Sequence, residues 1–103
     1  MFGLLDRDIK HIKEAVDSFE KIEEVIIFGS RAVGNHKQWS DIDLAVKGYN
    51  ITSTIVTRLS YILNEEKPLP YFFDLVNYDS LPDNELKRHI DSHGRVFFKS
   101  IKH

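Results

Sequence analysis

Three short pieces of this sequence could do chemistry together: Gly29-Ser30, then Asp41-Ile42-Asp43, then Asp74. Residues two apart on a β-strand point to one face, so Asp41 and Asp43 project together while Ile42, Leu44 and Val46 project oppositely. The apolar set can pack on helices, leaving two carboxylates whose Cα atoms are only ~7 Å apart. Like charges at that spacing repel unless a cation lies between them. Carboxylate oxygens with room for water and phosphate suit Mg²⁺. Asp74 repeats the pattern between Phe73 and Leu75, in a segment that otherwise reads as buried. An isolated acid there costs several kcal/mol unless compensated, and a shared metal centre is one compensation.

The glycine of Gly29-Ser30 lets backbone approach a ligand closely, and N–H groups opening a following helix can cradle phosphate. Ser30 adds a hydroxyl donor, and Arg31 a permanent charge suited to phosphate. Taken singly these features are ordinary: Asp-x-Asp is common on solvated strands, and Gly-Ser is a common turn. Taken together they describe a nucleoside-triphosphate site that works with two metal ions.

The elements that would position these groups follow from periodicity. Leu5, Ile9, Ile12, Val16 and Phe19 recur at steps of three and four, one apolar stripe of a helix with Asp6 and Asp8 in its first turn. Val25–Phe28 reads as a buried strand ended by Gly29. Residues 29–40 form a turn and loop around at most one short helix. Asp41–Lys47 is a second strand with unlike faces. Ile51, Ile55, Leu59, Ile62 and Leu63 mark a helix that Pro68 and Pro70 forbid from continuing. Tyr71–Tyr78 reads as a third strand. Pro82, Leu86, Ile90 and Gly94 outline a last helix, and Arg95–Lys99 suits a short edge strand. The expected fold is therefore α/β, a small mixed sheet with helices packed on one face.

Composition bounds the rest. A chain of 103 residues predicts a single domain over residues 1–103. It has no cysteine, hence neither disulfides nor thiolate metal ligands. The longest aliphatic or aromatic run, Val25–Phe28, is far short of the ~20 residues of a membrane span, and the N-terminus lacks signal-peptide character. A cytoplasmic location without membrane association is the expectation. With 14 basic against 16 acidic residues, the net charge of −2 is a poor match for direct binding of long nucleic acid. Residues 83–103 carry five bases and three acids, a mildly basic tail. This is either a solvated surface or a docking surface for a partner.

Gly29-Ser30-Arg31-Ala32-Val33-Gly34 followed by Ser40-Asp41-Ile42-Asp43-Leu44-Ala45-Val46 resembles the DNA polymerase beta-type nucleotidyltransferase superfamily. More narrowly it resembles the minimal nucleotidyltransferases (MNT), whose partners are HEPN-domain proteins. Ten residues separate Ser30 from Asp41, and Phe73-Asp74-Leu75-Val76 fits the later acidic strand. Where the family often has a second Arg, this chain has Val33. The resemblance implies a minimal polymerase-beta-like core transferring AMP from ATP with two Mg²⁺. It makes Asp41, Asp43 and Asp74 catalytic and metal-binding, and Gly29, Ser30, Arg31 and Ser40 nucleotide-binding. It further implies an antitoxin that modifies a hydroxyl side chain, commonly Tyr, of a HEPN-domain toxin. A small-molecule adenylyltransferase of the aminoglycoside type, or an antitoxin neutralising by complex formation alone, are the alternatives.

Three other residues stand out. Trp39, just before the acidic strand, either stacks on a nucleobase or caps its loop hydrophobically. His89 and His93 lie four apart on a helix and could share a metal, but at a helix C-terminus they more simply complement the dipole. The oligomeric state, a homo-oligomer included, is not legible.

Overall fold

The computed structural model describes residues 1–101; Lys102 and His103, the last of the basic tail, lie outside them. The elements follow in the order α1 (Asp6–Asp17), β1 (Ile22–Phe28), α2 (Ser30–Val33), β2 (Ile42–Gly48), α3 (Ser53–Tyr61), β3 (Phe73–Asn77), α4 (Glu85–His93) and β4 (Arg95–Lys99). The sheet order is β3-β2-β1-β4. β1 pairs antiparallel with both β2 and β4, and β2 pairs parallel with β3, so the sheet is mixed as expected. Among the described residues no helix is long and apolar enough to cross a membrane.

Alternation along the strands sorts the core into two layers. Val25 and Ile27 of β1 and Ile42, Leu44 and Val46 of β2 pack with Ile12 and Val16 of α1 and with Leu59 and Leu63 behind them. The stripe on α1 behaves as its spacing predicts, except that Leu5 is exposed and Ala15 is buried. On the opposite face, Phe28 and Ala45 form a smaller cluster with Ile90 of α4, flanked by Ile26, Val76, Tyr78 and Leu81. The expectation of helices on one face therefore needs correcting. α4 covers part of the second face, and that is the face Asp43 shares with Ala45. Two apolar positions on a nine-residue helix do not reveal which side of a sheet it takes.

β3 also differs from expectation. It is an edge strand, and Asp74 is exposed rather than enclosed, so the cost of burying a lone acid does not arise there. What fixes the start of β3 is Asn64. α3 runs on into a wide π-helical turn, Ile62–Glu66, which ends at Lys67 before the two prolines. From this turn Asn64 Oδ1 accepts from the Phe73 amide at 2.8 Å, while its Nδ2 donates to the Phe73 carbonyl at 3.1 Å. A side-chain amide thus acts as a further strand residue beside β3, one position before Asp74. Asn64→Ala removes both bonds, and a loss of about 1–3 kcal/mol is expected. Urea unfolding checks it: the midpoint falls while the slope stays constant.

Candidate active site

β1 ends at Phe28, paired with Asp43 across the antiparallel ladder, and Asp43 in turn faces Asp74 across the parallel one. Asp43 and Asp74 thus face each other on two neighbouring strands, and Asp41 lies in the loop one residue before β2. Asp43 is half-buried between its neighbours, whereas Asp41 and Asp74 are exposed at the rim. Burial raises the pKa of Asp43 above the ordinary carboxylate value, and the charges of Asp74 and then Asp41 add to the effect. Among the described residues no three such side chains converge closely enough to hold an ion as they stand. The strand register does set Asp43 directly beside Asp74.

Gly29 stands directly over this cluster with φ 75° and ψ −154°, a conformation that side chains resist. A Cβ there would also collide with Oδ2 of Asp43. Glycine is demanded twice, by the backbone and by the acid below it. The following α2 is a single turn closed by Gly34 in the left-handed region. It is too short for a sizeable helix dipole, so any affinity for phosphate rests on individual donors. The Gly29 N–H is itself engaged, donating to Nε2 of His89 at 3.1 Å. Ser30 is half-buried at the turn, and Val33 is exposed.

Arg31 does not offer its charge to the site. It is only 2% exposed. Its Nε and Nη2 both donate to the Ser40 carbonyl, at 3.1 and 2.9 Å, and Nη2 also reaches the Gln38 carbonyl at 3.3 Å. Nη1 donates to the Phe2 carbonyl at 2.9 Å. The guanidinium lies over the Tyr71 ring, 5.2 Å from its centroid, and Tyr71 donates its hydroxyl proton to the buried Asp8 at 2.8 Å. The expected phosphate contact is corrected to a clamp on the loop that delivers Asp41. Ser40 belongs to the same clamp: its carbonyl accepts from Arg31, and its hydroxyl accepts from the Lys37 amide at 2.8 Å.

Trp39 is 80% exposed next to Asp41, so the hydrophobic-cap reading fails. His89 and His93 stack on each other at 5.2 Å. His93 sits in the last turn of α4, as the dipole reading requires, but His89 is tied to Gly29. The two partners lie 60 positions apart, so no local sequence pattern announces that bond.

Two outcomes follow from this geometry. Arg31→Lys keeps the charge but cannot reproduce a fork that binds three carbonyls, and a loss of about 2–4 kcal/mol is expected; thermal and urea unfolding measure it. Asp43→Asn removes a charge that the fold disfavours. Because the folded pKa is raised, ionised Asp43 weakens the fold at neutral pH, and this cost fades as pH falls through the raised value. Without divalent ions the variant should melt ~1–4 °C higher at neutral pH, and the gain should vanish in acid. Calorimetry at two pH values checks both halves.

The model of the polymerase beta nucleotidyltransferase family matches residues 10–103. No curated protein matches the chain significantly. Among solved structures, a chain of a toxin–antitoxin complex with AMP-PNP is similar at TM-score 0.72 and 23% identity, over 95% of this chain and 76% of that one. A chain from tri-AMPylated Shewanella oneidensis HEPN toxin in complex with MNT antitoxin is similar at TM-score 0.69 and 21% identity, over 91% and 71%. A chain of the MntA–HepT toxin–antitoxin complex is similar at TM-score 0.69 and 20% identity, over 93% and 74%. These likenesses show the same fold around the same sheet. With the glycine turn, the paired strand acids and the third acid in register beside them, the chain belongs to the polymerase beta nucleotidyltransferase family.

Proposed function

We propose that residues 1–103 act as one nucleotidyltransferase domain of the MNT type, an antitoxin that transfers AMP from ATP to a hydroxyl side chain, commonly Tyr, of a HEPN-domain toxin. The observation that carries this reading is the register of Asp43 against Asp74 beneath the Gly29-Ser30 turn. Similar chains occur in structures with AMP-PNP and with a tri-AMPylated HEPN toxin, which supports the nucleotide and the kind of acceptor.

The donor set fits magnesium: it is all oxygen, and burial together with its acidic neighbours disfavours the charge of Asp43. Asp41 and Asp43 would hold two Mg²⁺, with Asp74 a ligand of one. When bound, the ions supply charge neutralisation at the triphosphate and at the attacking and leaving oxygens. The chain's own groups do the remaining work. The Ser30 hydroxyl donates to a β- or γ-phosphate oxygen. The Asp74 carboxylate, exposed at the rim, accepts the proton of the incoming hydroxyl. The hydroxyl oxygen bonds to the α-phosphorus as the bond to the β-phosphate oxygen breaks, and pyrophosphate departs in line. Trp39 offers an open aromatic face to the base.

The test is the mass and nuclease activity of the HEPN-domain partner after incubation with this protein, ATP and Mg²⁺, then separation. Wild type should add mass in steps of one nucleotide and leave the partner inactive. Asp74→Ala should add none and fail to neutralise while still forming the complex. Asp74 occupies one edge position, whereas a stable interface covers roughly 800 Å² per partner. Unchanged mass with full neutralisation by the variant would establish neutralisation by binding alone.

A further inference from the structure

We infer that His89 is a positioning residue: its imidazole holds the Gly29 amide and thereby fixes the turn that carries Ser30. Gly29 lies one residue beyond the last pair of the β1–β2 ladder, Phe28 with Asp43. Its backbone sits at φ 75° and ψ −154°, and a glycine is intrinsically the least restricted of residues. Left to itself, this junction between a strand and a one-turn helix would sample many orientations. The acceptor that ends this freedom comes from another element, α4, through Nε2 of His89 at 3.1 Å. An Nε2 that accepts carries a lone pair, so the ring proton resides on Nδ1.

The imidazole is itself held. It meets the Phe28 ring edge-on, at 6.2 Å and 73°, and stacks on His93 at 5.2 Å and 22°. Ile90 beside it anchors α4 on Phe28 and Ala45. Docking of α4 on the sheet is in this way transmitted to a single peptide group above Asp43. Because that N–H is taken, Gly29 serves by shape and Ser30 remains the donor to a triphosphate. His89 acts through Gly29.

This inference rests on the reading of the turn as the triphosphate subsite, and the experiment separates the two. In ¹⁵N-labelled wild-type protein, a scalar coupling across the hydrogen bond should link the Gly29 amide nitrogen to Nε2 of His89. Absence of that coupling overturns the inference without any variant. His89→Gln places an acceptor oxygen the same number of bonds from Cα as Nε2, whereas His89→Leu keeps apolar contact with Phe28 but cannot accept. If the hydrogen bond is what matters, Leu should raise the KM for Mg-ATP about tenfold with a smaller change in kcat, while Gln stays within about threefold of wild type. If ring packing alone matters, Leu will equal or exceed Gln, and the inference fails. Should wild type bind no nucleotide, the proposed function fails, and His89 is judged by exchange of the Gly29 amide with solvent. At least tenfold faster exchange in Leu than in Gln upholds the positioning role, and equal rates overturn it.

Discussion

Arg31 and Asp8 are the two charged side chains buried among the described residues, and the geometry around the acids depends on the Arg31 guanidinium. A cation removed from water costs several kcal/mol unless every donor is met. Here the donors meet the carbonyls of Ser40, Gln38 and Phe2. The arrangement satisfies both sides at once. It ties the turn after β1 to the end of the loop before β2, which are the two segments that must come together for Gly29 to stand over Asp43. Tyr71 and Asp8 extend the clamp to the segment before β3 and to α1. The loop of residues 34–41 can therefore be irregular and exposed in sequence terms yet still deliver Asp41 to one place.

A second constraint works against the first. Asp43 lies between Asp41 and Asp74, half-buried, with its charge disfavoured by its surroundings. Local strain of this kind is characteristic of sites that gain their stabilisation from a ligand. The rigid clamp and the strained acid are complementary: the clamp holds the turn and loop in place while the acid at their centre keeps its unfavourable charge.

Much of this was legible in sequence because it depends on local periodicity. The alternation of Asp41, Ile42, Asp43 and Leu44 gives both the strand and its two faces, and the Gly29-Ser30 turn follows from the end of an apolar run. The rest depends on what a sequence does not encode locally. Arg31 binds carbonyl oxygens, which every residue possesses, so no residue type signals the clamp. His89 meets Gly29 across 60 positions. Asp74 is exposed because β3 lies at the edge, a matter of strand order rather than of the apolar residues on either side of it. The short stripe of α4 is compatible with either face of the sheet, and only packing against Phe28 and Ala45 decides.

The placement of α4 divides the second face of the sheet into two parts. Ala45, Phe28 and Ile90 close one part, while Asp43 is half open and Asp74 and Asp41 lie at an exposed rim. Charges in such a setting interact through water, and hydrogen bonds or ions there act with only a fraction of the strength they have when solvent is excluded. For the reaction proposed above, exclusion of water has to come from whatever carries the acceptor hydroxyl. A small acceptor would leave the rim wet, whereas a folded partner can cover Trp39 and the rim in a single contact. The same openness that makes this a weak site on its own gives a protein-borne hydroxyl unobstructed approach to Asp74, which argues for catalysis completed at an interface rather than inside a pocket.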